Sequence, residues 1–192
     1  MVTKCLLWDF GDTLCDELSL WRVSKEWMAV YHSFDDSEGI GAAWSLGDID
    51  TAQVISKLSE RMTLTETEIQ AHLSRTELFD FFPFTYEYFR AQHLPQAVVT
   101  VNPVIFRDMS RKLEFDQVTD TIVISGEENT IDKGVLCAIA LRRMPLNCHN
   151  YEALLIDNKQ SNLDEWATLG GKGYLYISDS TFKQDVENGR LE

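Results

Sequence analysis

Five short apolar runs along the chain alternate with amphipathic stretches, and this pattern predicts an α/β fold. Each run is almost continuously hydrophobic, which is typical of strands whose two faces are both covered. An isolated surface strand would instead alternate apolar and polar positions. The five predicted strands span residues 4–9, 96–101, 121–125, 153–157 and 173–177.

Helical patterns separate the later runs and occupy residues 103–113, 133–144 and 162–169. Pro103 opens the first of these stretches and a Gly170-Gly171 pair follows the last, in agreement with the usual start and stop signals of helices. Strands that alternate with helices form parallel sheets with right-handed crossovers and helices on both faces. The pattern therefore predicts a three-layer, Rossmann-like α/β core with a parallel sheet.

The long interval between the first and second runs is mostly helical. Apolar residues recur at helical spacing in 20–34 and 51–62, and Thr65 with Glu68 three residues later is typical of a helix start. We therefore predict a small α-helical cap inserted after the first strand. The cap spans residues 16–91, and residues 1–15 and 92–192 form the core. The histidines of this interval, His32, His72 and His93, are expected at the surface, and the charged last dozen residues are expected to be loosely ordered.

Composition and charge restrict the classes of partner. The 192 residues include 17 Lys+Arg and 31 Asp+Glu, a net charge of −14, and 44% are hydrophobic. This suits one folded domain with a buried core. It argues against nucleic-acid and membrane partners, because binding to such polyanions needs clustered Lys and Arg.

No apolar run reaches the roughly 18–20 residues that span a bilayer, the first residues do not form a secretion signal, and the four cysteines form no C-x-x-C pair. We expect a cytoplasmic protein; its oligomeric state is left open.

Polar residues stand at the ends of the apolar runs. They are Asp9, then Thr100 with Asn102, and then Asp157 with Asn158, while Lys133 opens the helix after the third run. In open α/β sheets the ligand lies beyond the carboxyl ends of the strands. Together these residues supply a nucleophile or cation ligand, a hydroxyl group, a fixed positive charge and a second cation-binding corner.

The order of these motifs resembles the haloacid dehalogenase (HAD) superfamily. The first motif of that superfamily, Asp-x-Asp-x-Thr after an apolar strand, is matched by Asp9-Phe10-Gly11-Asp12-Thr13. The second, third and fourth motifs are matched by Thr100, by Lys133, and by the pair Asp157-Asn158 with Asn162 beyond it. The resemblance covers essentially the whole chain, including the cap.

The resemblance implies a Mg²⁺-dependent phosphatase that acts on a small phosphorylated metabolite, a phosphomonoester such as a sugar phosphate. Asp9 would attack phosphorus and form an aspartyl-phosphate, which divides hydrolysis into two easier steps. The implied catalytic residues are Asp9, Lys133 and Thr100. The implied substrate-binding residues are Phe10 and Gly11 through their backbone N–H groups, Thr100, Asn102 and Lys133. The implied metal ligands are Asp9, the Gly11 carbonyl, Asp157 and Asn158.

Two departures from the family pattern leave alternatives open. Gly11 stands where phosphatases of the superfamily carry an acid that protonates the leaving oxygen, and Asp12 lies one residue too late. Asn158 stands where a second acid would bind Mg²⁺. One alternative is a dehalogenase-like, metal-independent hydrolase, for which Asn102 is suitable and Arg22 is the candidate halide-binding cation. The other is a catalytically weakened binding or regulatory protein.

Overall fold

The computed structural model describes residues 2–36 and 39–191, and all five predicted strands are present in it. Five parallel strands form one sheet, and two short strands form an antiparallel pair apart from it. The strands are β1 (Cys5–Trp8), β2 (Cys15–Asp16), β3 (Asp80–Phe81), β4 (Gln96–Thr100), β5 (Thr121–Ile124), β6 (Ala153–Asp157) and β7 (Lys172–Leu175). The order in the main sheet is β5-β4-β1-β6-β7.

β1 lies at the centre of the sheet, between β4 and β6. Trp8 is in register with Val98 on one side and Ile156 on the other, and the N–H of Asp9 donates to the carbonyl of Ile156 at 3.0 Å. Because the three strands are parallel, their carboxyl ends meet at one edge. The sheet therefore brings the residues that follow β1, β4 and β6 together.

Helices cover both faces of the sheet, as the three-layer prediction requires. Leu7 belongs to the apolar core on one face, with Leu136 and Trp166, whereas Trp8 belongs to the core on the other face, with Phe89 and Phe182. Successive residues of β1 thus enter different cores, which explains its continuous hydrophobicity. The helices are α1 (Lys25–Asp36), α2 (Ile40–Leu46), α3 (Thr51–Ser59), α4 (Glu66–Leu73), α5 (Pro83–Arg90), α6 (Phe106–Lys112), α7 (Ser125–Glu128), α8 (Lys133–Arg143), α9 (Gln160–Thr168) and α10 (Asp179–Glu187).

Helices α1–α4, which we call the helical insert, lie between β2 and β3 in the chain. The strands β2 and β3 pair antiparallel, with Cys15 opposite Phe81, so the segments that enter and leave the insert lie side by side. The insert also contacts the core, because the hydroxyl of Ser125 in α7 donates to the carbonyl of Ser45 in α2 at 2.6 Å. The capping box of Thr65 with Glu68 is present as predicted.

Several details differ from the sequence-based expectation. The predicted helix 20–34 begins only at Lys25, because a 3-10 turn precedes it and the Ser24 hydroxyl accepts from the N–H of Trp27 at 3.2 Å. Residues 181–187, which were expected to be loosely ordered, belong to α10, because Phe182 is completely buried and the Ser178 side chain caps the helix. β7 is a half-buried edge strand rather than a strand covered on both faces.

Helices α2 and α5 were not expected from the pattern. His72 is buried rather than exposed, because its ring stacks on Trp27 with centroids 3.9 Å apart. Among the described residues, no helix has both the length and the apolar character needed to cross a bilayer.

Candidate functional site

A buried ion pair joins the ends of two elements at the carboxyl edge of the sheet. The ammonium of Lys133, at the start of α8, lies 2.7 Å from Oδ1 of Asp9 and 3.2 Å from Oδ2 of Asp157. It also donates to the carbonyl of Val99 at 2.9 Å. The Lys133 side chain is completely buried, and these three acceptors match the three N–H groups of an ammonium.

The start of α8 is fixed by two carboxylates. The Asp132 side chain accepts from the N–H of Val135 at 2.9 Å, and the Glu165 side chain accepts from the N–H of Lys133 at 2.7 Å. Both bonds satisfy N–H groups that have no partner within the helix. Lys133 therefore projects from a rigid helix terminus.

Burial and charge act against each other in this pair. Burial raises the pKa of Asp9 and the nearby Asp157 carboxylate adds to the rise, whereas Lys133 and a backbone hydrogen bond from Phe10 lower it, for a net pKa of about 6. Burial on its own would lower the pKa of Lys133, but Asp9 and Asp157 together raise it above its ordinary value. Lys133 therefore stays charged, and Asp9 is a carboxylate near neutral pH.

A cavity of about 220 Å³ opens beside this pair. Thr100 and Asn102 lie on its wall, and the Asn102 amide donates to the Thr100 hydroxyl oxygen at 2.7 Å, which leaves the Thr100 proton free for another acceptor. The structure thus brings five sequence-predicted site residues together. The cavity is lined by Asp9, Gly11, Glu17, Thr100, Val101, Asn102, Ile131, Lys133, Lys159, Asn162 and Glu165.

Asp157 is completely buried and is not among the described residues that line this cavity. Its Oδ1 accepts from the N–H of Lys159 at 2.8 Å, and its carboxylate also receives the Asn162 amide at 2.9 and 3.0 Å. With Lys133 as a further neighbour, the carboxylate has most of its acceptor positions filled. In this structure Asp157 orients Lys133 and the loop after β6; its predicted role as a metal ligand stays a prediction.

Asn158 directly follows Asp157, at the end of β6. It lines a different cavity, together with Asp12, and its side-chain oxygen is buried without a hydrogen-bond partner among the described residues. A buried amide oxygen without a donor is unfavourable unless a cation or water satisfies it. The described residues contain no cluster of three or more His, Cys, Asp or Glu side chains suited to a metal. A cation here would therefore depend on Asp9, the Gly11 carbonyl and this free oxygen, a donor set of the kind that Mg²⁺ accepts.

Asp12 does not replace the acid that is missing at position 11. It adopts a left-handed conformation, with φ of 54°, and its Oδ1 accepts from the N–H of Glu17 at 3.0 Å. Its own N–H donates to the carbonyl of Cys15 at 2.7 Å. The Asp12 carboxylate therefore stabilises the turn after β1, and Asp12 is not among the described residues that line the cavity beside Asp9.

Phe10 contributes its side chain to packing. Its ring is 3% exposed and makes edge contacts with Phe79, Phe106 and Phe115. Only its backbone can serve the substrate-binding role that the resemblance implies. The aromatic cluster holds this part of the loop, and hence Asp9, in one place.

Three charged residues at the cavity, Glu17, Lys159 and Glu165, were not among the predicted site residues. Glu17 follows β2 directly, and Lys159 follows Asp157 and Asn158 after β6. Lys159 could have been suspected because it extends the fourth motif. Glu17 carries no such signal; it returns to the end of β1 because its N–H donates to the Asp12 carboxylate and because Gly11 is bridged to Cys15.

A second cavity of about 330 Å³ adjoins the first, and we call it the chamber. Glu17, Val101, Asn102, Ile131 and Lys159 line both cavities. The rest of the chamber wall comes largely from apolar and aromatic side chains of the helical insert and of α6. The chamber therefore extends from the Asp9–Lys133 pair toward the insert.

Arg22 does not line either cavity. Its guanidinium pairs with the carboxylate of Asp16 and its side chain is 54% exposed. The residue suggested as a halide-binding cation is thus engaged at the surface.

Comparison with known proteins gives structural matches only. No protein-family model matches the sequence, and no curated protein matches it. A predicted HAD-like family hydrolase from Porphyromonas gingivalis superposes with a TM-score of 0.75 at 14% identity over 100% of both chains. An HAD family enzyme from Bacteroides thetaiotaomicron, solved with magnesium and inorganic phosphate, gives 0.71 at 15% identity over 92% of this chain and 95% of that one.

An L-2-haloacid dehalogenase from Xanthobacter autotrophicus gives a TM-score of 0.66 at 10% identity, over 100% of this chain and 85% of the other. Structures of both a magnesium- and phosphate-bound enzyme and a dehalogenase therefore share this architecture. The resemblance that the four motifs predicted is confirmed at the level of the fold: the chain has the α/β fold of the haloacid dehalogenase superfamily.

Proposed function

We propose that this protein is a Mg²⁺-dependent phosphatase that hydrolyses a small phosphomonoester through an aspartyl-phosphate on Asp9. The observation that carries the proposal is the buried Asp9–Lys133 pair, with 2.7 Å between Nζ and Oδ1, at the wall of a cavity that Thr100 and Asn102 also line. A carboxylate beside a fixed positive charge is a nucleophile that can approach an anionic phosphate.

In the first step a carboxylate oxygen of Asp9 forms a bond to phosphorus and the bond from phosphorus to the leaving oxygen breaks. The leaving oxygen takes up a proton and departs as the alcohol. Lys133 and the Thr100 hydroxyl stabilise charge on the nonbridging oxygens. In the second step water attacks phosphorus, the bond to Asp9 breaks, and inorganic phosphate leaves.

When bound, Mg²⁺ would neutralise negative charge between the carboxylate and the phosphate. Asp9, the Gly11 carbonyl and Asn158 would hold it, and the unpartnered buried oxygen of Asn158 supports this assignment. Asp157 would act chiefly on Lys133. With a single carboxylate free for the ion, the proposed site is weakly charged, and we expect modest Mg²⁺ affinity.

The phosphatase proposal is favoured over the metal-independent dehalogenase. Arg22, which would bind the halide, pairs with Asp16 at the surface. The buried Asn158 oxygen, which has no hydrogen-bond donor among the described residues, is available to a cation. The proposed partner is a small phosphorylated metabolite, and the compartment we propose is the cytoplasm.

Phosphate release tests the proposal. The assay measures hydrolysis of p-nitrophenyl phosphate and acetyl phosphate, with Mg²⁺ and with EDTA. It compares the wild type with Asp9→Asn and with a matched control, Asp164→Asn, which changes an exposed carboxylate of α9. We expect Mg²⁺-dependent turnover that Asp9→Asn abolishes and Asp164→Asn retains. Metal-independent chloride release from 2-chloropropionate would favour the dehalogenase instead. No turnover of any phosphomonoester in a broad panel would leave a binding or regulatory protein.

A further inference from the structure

The side chain of Glu17 occupies the space beside Gly11. A Cβ atom built on Gly11 would lie 3.0 Å from the Glu17 carboxyl carbon and 3.1 Å from its Oε2. An aspartate side chain at this position would carry its carboxylate one bond beyond that Cβ. The Glu17 carboxylate is therefore held in the space into which such an aspartate would extend.

The backbone of Glu17 is held firmly. Its N–H donates to Asp12 at 3.0 Å, and the preceding strand, β2, pairs with β3. Glu17 also lines both the cavity of the Asp9–Lys133 pair and the chamber, so it lies where these two spaces meet. If the phosphate of a substrate occupies the cavity and its leaving group extends into the chamber, the oxygen that joins them lies near the Glu17 carboxyl.

We propose that Glu17 is the catalytic acid and base of the reaction, in place of the aspartate that is missing at position 11. This inference rests on the proposed phosphatase function. In the first step the Glu17 carboxyl gives its proton to the leaving oxygen as the bond to phosphorus breaks. In the second step the Glu17 carboxylate takes a proton from the water that attacks the aspartyl-phosphate, which restores the acid.

Leaving-group dependence separates this role from a structural one. Phenyl phosphate has a poor leaving group that needs a proton, whereas 2,4-dinitrophenyl phosphate has a good one that does not. We expect Glu17→Gln to lower kcat for phenyl phosphate by about 10²-fold or more, and to lower kcat for the dinitrophenyl ester by far less. The control Glu66→Gln, at an exposed position of the helical insert, should change neither rate.

A relocated acid provides the second test. Glu17→Gly alone should behave like Glu17→Gln, and adding Gly11→Asp to it should restore much of the rate on phenyl phosphate. If Glu17→Gln lowers kcat equally for both esters, or for neither, Glu17 is not the catalytic acid. Turnover that still depends on Asp9 would in that case leave the proposed phosphatase function intact. Absence of Asp9-dependent turnover in the wild type would overturn both.

The wall of the chamber carries a second, independent inference, about the substrate. Few polar residues line this wall. Glu17, Asn102 and Lys159 lie at the boundary with the first cavity, and Tyr31 and Ser45 lie on the rest of the wall. The interior surface is otherwise largely apolar. It includes Leu20, Trp21, Trp44, Phe79, Phe106 and Met109.

A sugar in such a space would leave several hydroxyl groups without hydrogen-bond partners, which is unfavourable for each buried group. A flat aromatic or short aliphatic group would instead exchange water for apolar contact. The volume of about 330 Å³ is at the small end of the range for ligand sites. We infer that the phosphomonoester of the proposed function is an aryl or short alkyl phosphate rather than a sugar phosphate.

Two measurements test this inference. The first compares kcat/KM for 1-naphthyl phosphate with that for glucose 1-phosphate and glucose 6-phosphate, and we expect a preference of at least about tenfold for the naphthyl ester. The second measures binding of 1-naphthyl phosphate to Asp9→Asn through tryptophan fluorescence, because Trp21 and Trp44 line the chamber.

Ala42→Phe should fill part of the chamber, since Ala42 lies on its wall and is exposed. We expect it to weaken binding of the naphthyl ester, while Ala52→Phe, an exposed alanine of α3, leaves binding as in the parent. A preference for the glucose phosphates would overturn the inference of an aryl or alkyl substrate, while the proposed phosphatase function would stand. Failure of every ester, together with no fluorescence change, would overturn both proposals.

Discussion

The ammonium nitrogen of Lys133 lies 2.7 Å from Oδ1 of Asp9, inside a protein that carries a net charge of −14. Lys133 is a completely buried positive charge, and Asp157 is its second carboxylate partner at 3.2 Å. A buried charge destabilises the folded protein strongly if its oppositely charged partners are removed. Lys133 is therefore expected to serve the fold and the proposed chemistry together.

Lys133→Met leaves two buried carboxylates without their counter-ion. We expect a loss of about 3–5 kcal/mol in the free energy of unfolding, measured by urea denaturation, and a loss of activity in the remaining folded protein. Adding Asp9→Asn should recover part of the stability, because one of the two charges is removed. The exposed control Lys57→Met should stay close to wild type. A Lys133→Met protein as stable as wild type would contradict the buried pair.

Asn158→Asp adds a second negative charge next to the proposed cation. We expect the Mg²⁺ concentration for half-maximal activity to fall, because hard cations bind more tightly as the ligand charge rises. Asn158→Ala should raise the Mg²⁺ concentration that gives half-maximal activity, because one metal ligand is removed. The readout is a Mg²⁺ titration after treatment with EDTA, with Asn188→Asp at the exposed end of α10 as control. An unchanged titration in both Asn158 variants would remove Asn158 from the metal site.

His72 makes stability depend on pH. Burial lowers its pKa, an effect that the hydrogen bond from Nε2 to the Leu20 carbonyl at 2.9 Å only partly offsets. The unfolded chain, whose histidines titrate near about pH 6.5, then takes up the proton first as the pH falls. The stability contributed by neutral His72 is complete above that pH and is lost below it.

We therefore expect His72→Gln to lose less stability than wild type between pH 7.5 and pH 5. The exposed control His93→Gln should follow the wild-type curve. Urea denaturation at both pH values gives the comparison. Parallel losses in wild type and His72→Gln would show that His72 does not contribute.

Two neighbouring glycines test the packing of α9 on the sheet. A Cβ on Gly171 would overlap the buried indole of Trp166, whereas one on Gly170 would meet nothing within 4 Å, although Gly170 has a φ of +84°. We expect Gly171→Ala to cost about 3 kcal/mol through overpacking, and Gly170→Ala about 1 kcal/mol through its backbone conformation. Equal losses in thermal or urea unfolding would contradict this packing.

The sequence was sufficient for the parts of the fold that local pattern determines. The runs that became β1, β4, β5 and β6 are hydrophobic on both faces, and Lys133 follows a capping aspartate, so the strands and the start of α8 were predictable. The helix α10 was not, because Phe182 is buried only when the rings of Trp8 and Tyr174 meet it. No local pattern contains that contact.

The candidate site was predictable wherever a residue directly follows a strand of the sheet. Asp9, Thr100 and Asn102 all lie at its carboxyl edge for this reason. Glu17 was missed because no motif marks the turn that places it beside Gly11, where its N–H donates to the Asp12 carboxylate. The burial of the Asn158 side-chain oxygen was also beyond prediction, since it depends on tertiary packing and not on a local pattern.

The most direct test of the account is the location of a phosphoryl group on the protein. Wild type and Asp9→Asn are mixed with acetyl phosphate and Mg²⁺, quenched in acid, and analysed by intact mass and peptide mapping. The account predicts that the wild type gains one phosphoryl group on the peptide that contains Asp9 and that Asp9→Asn gains none. Phosphate release without this label, or a label on another residue, would contradict it.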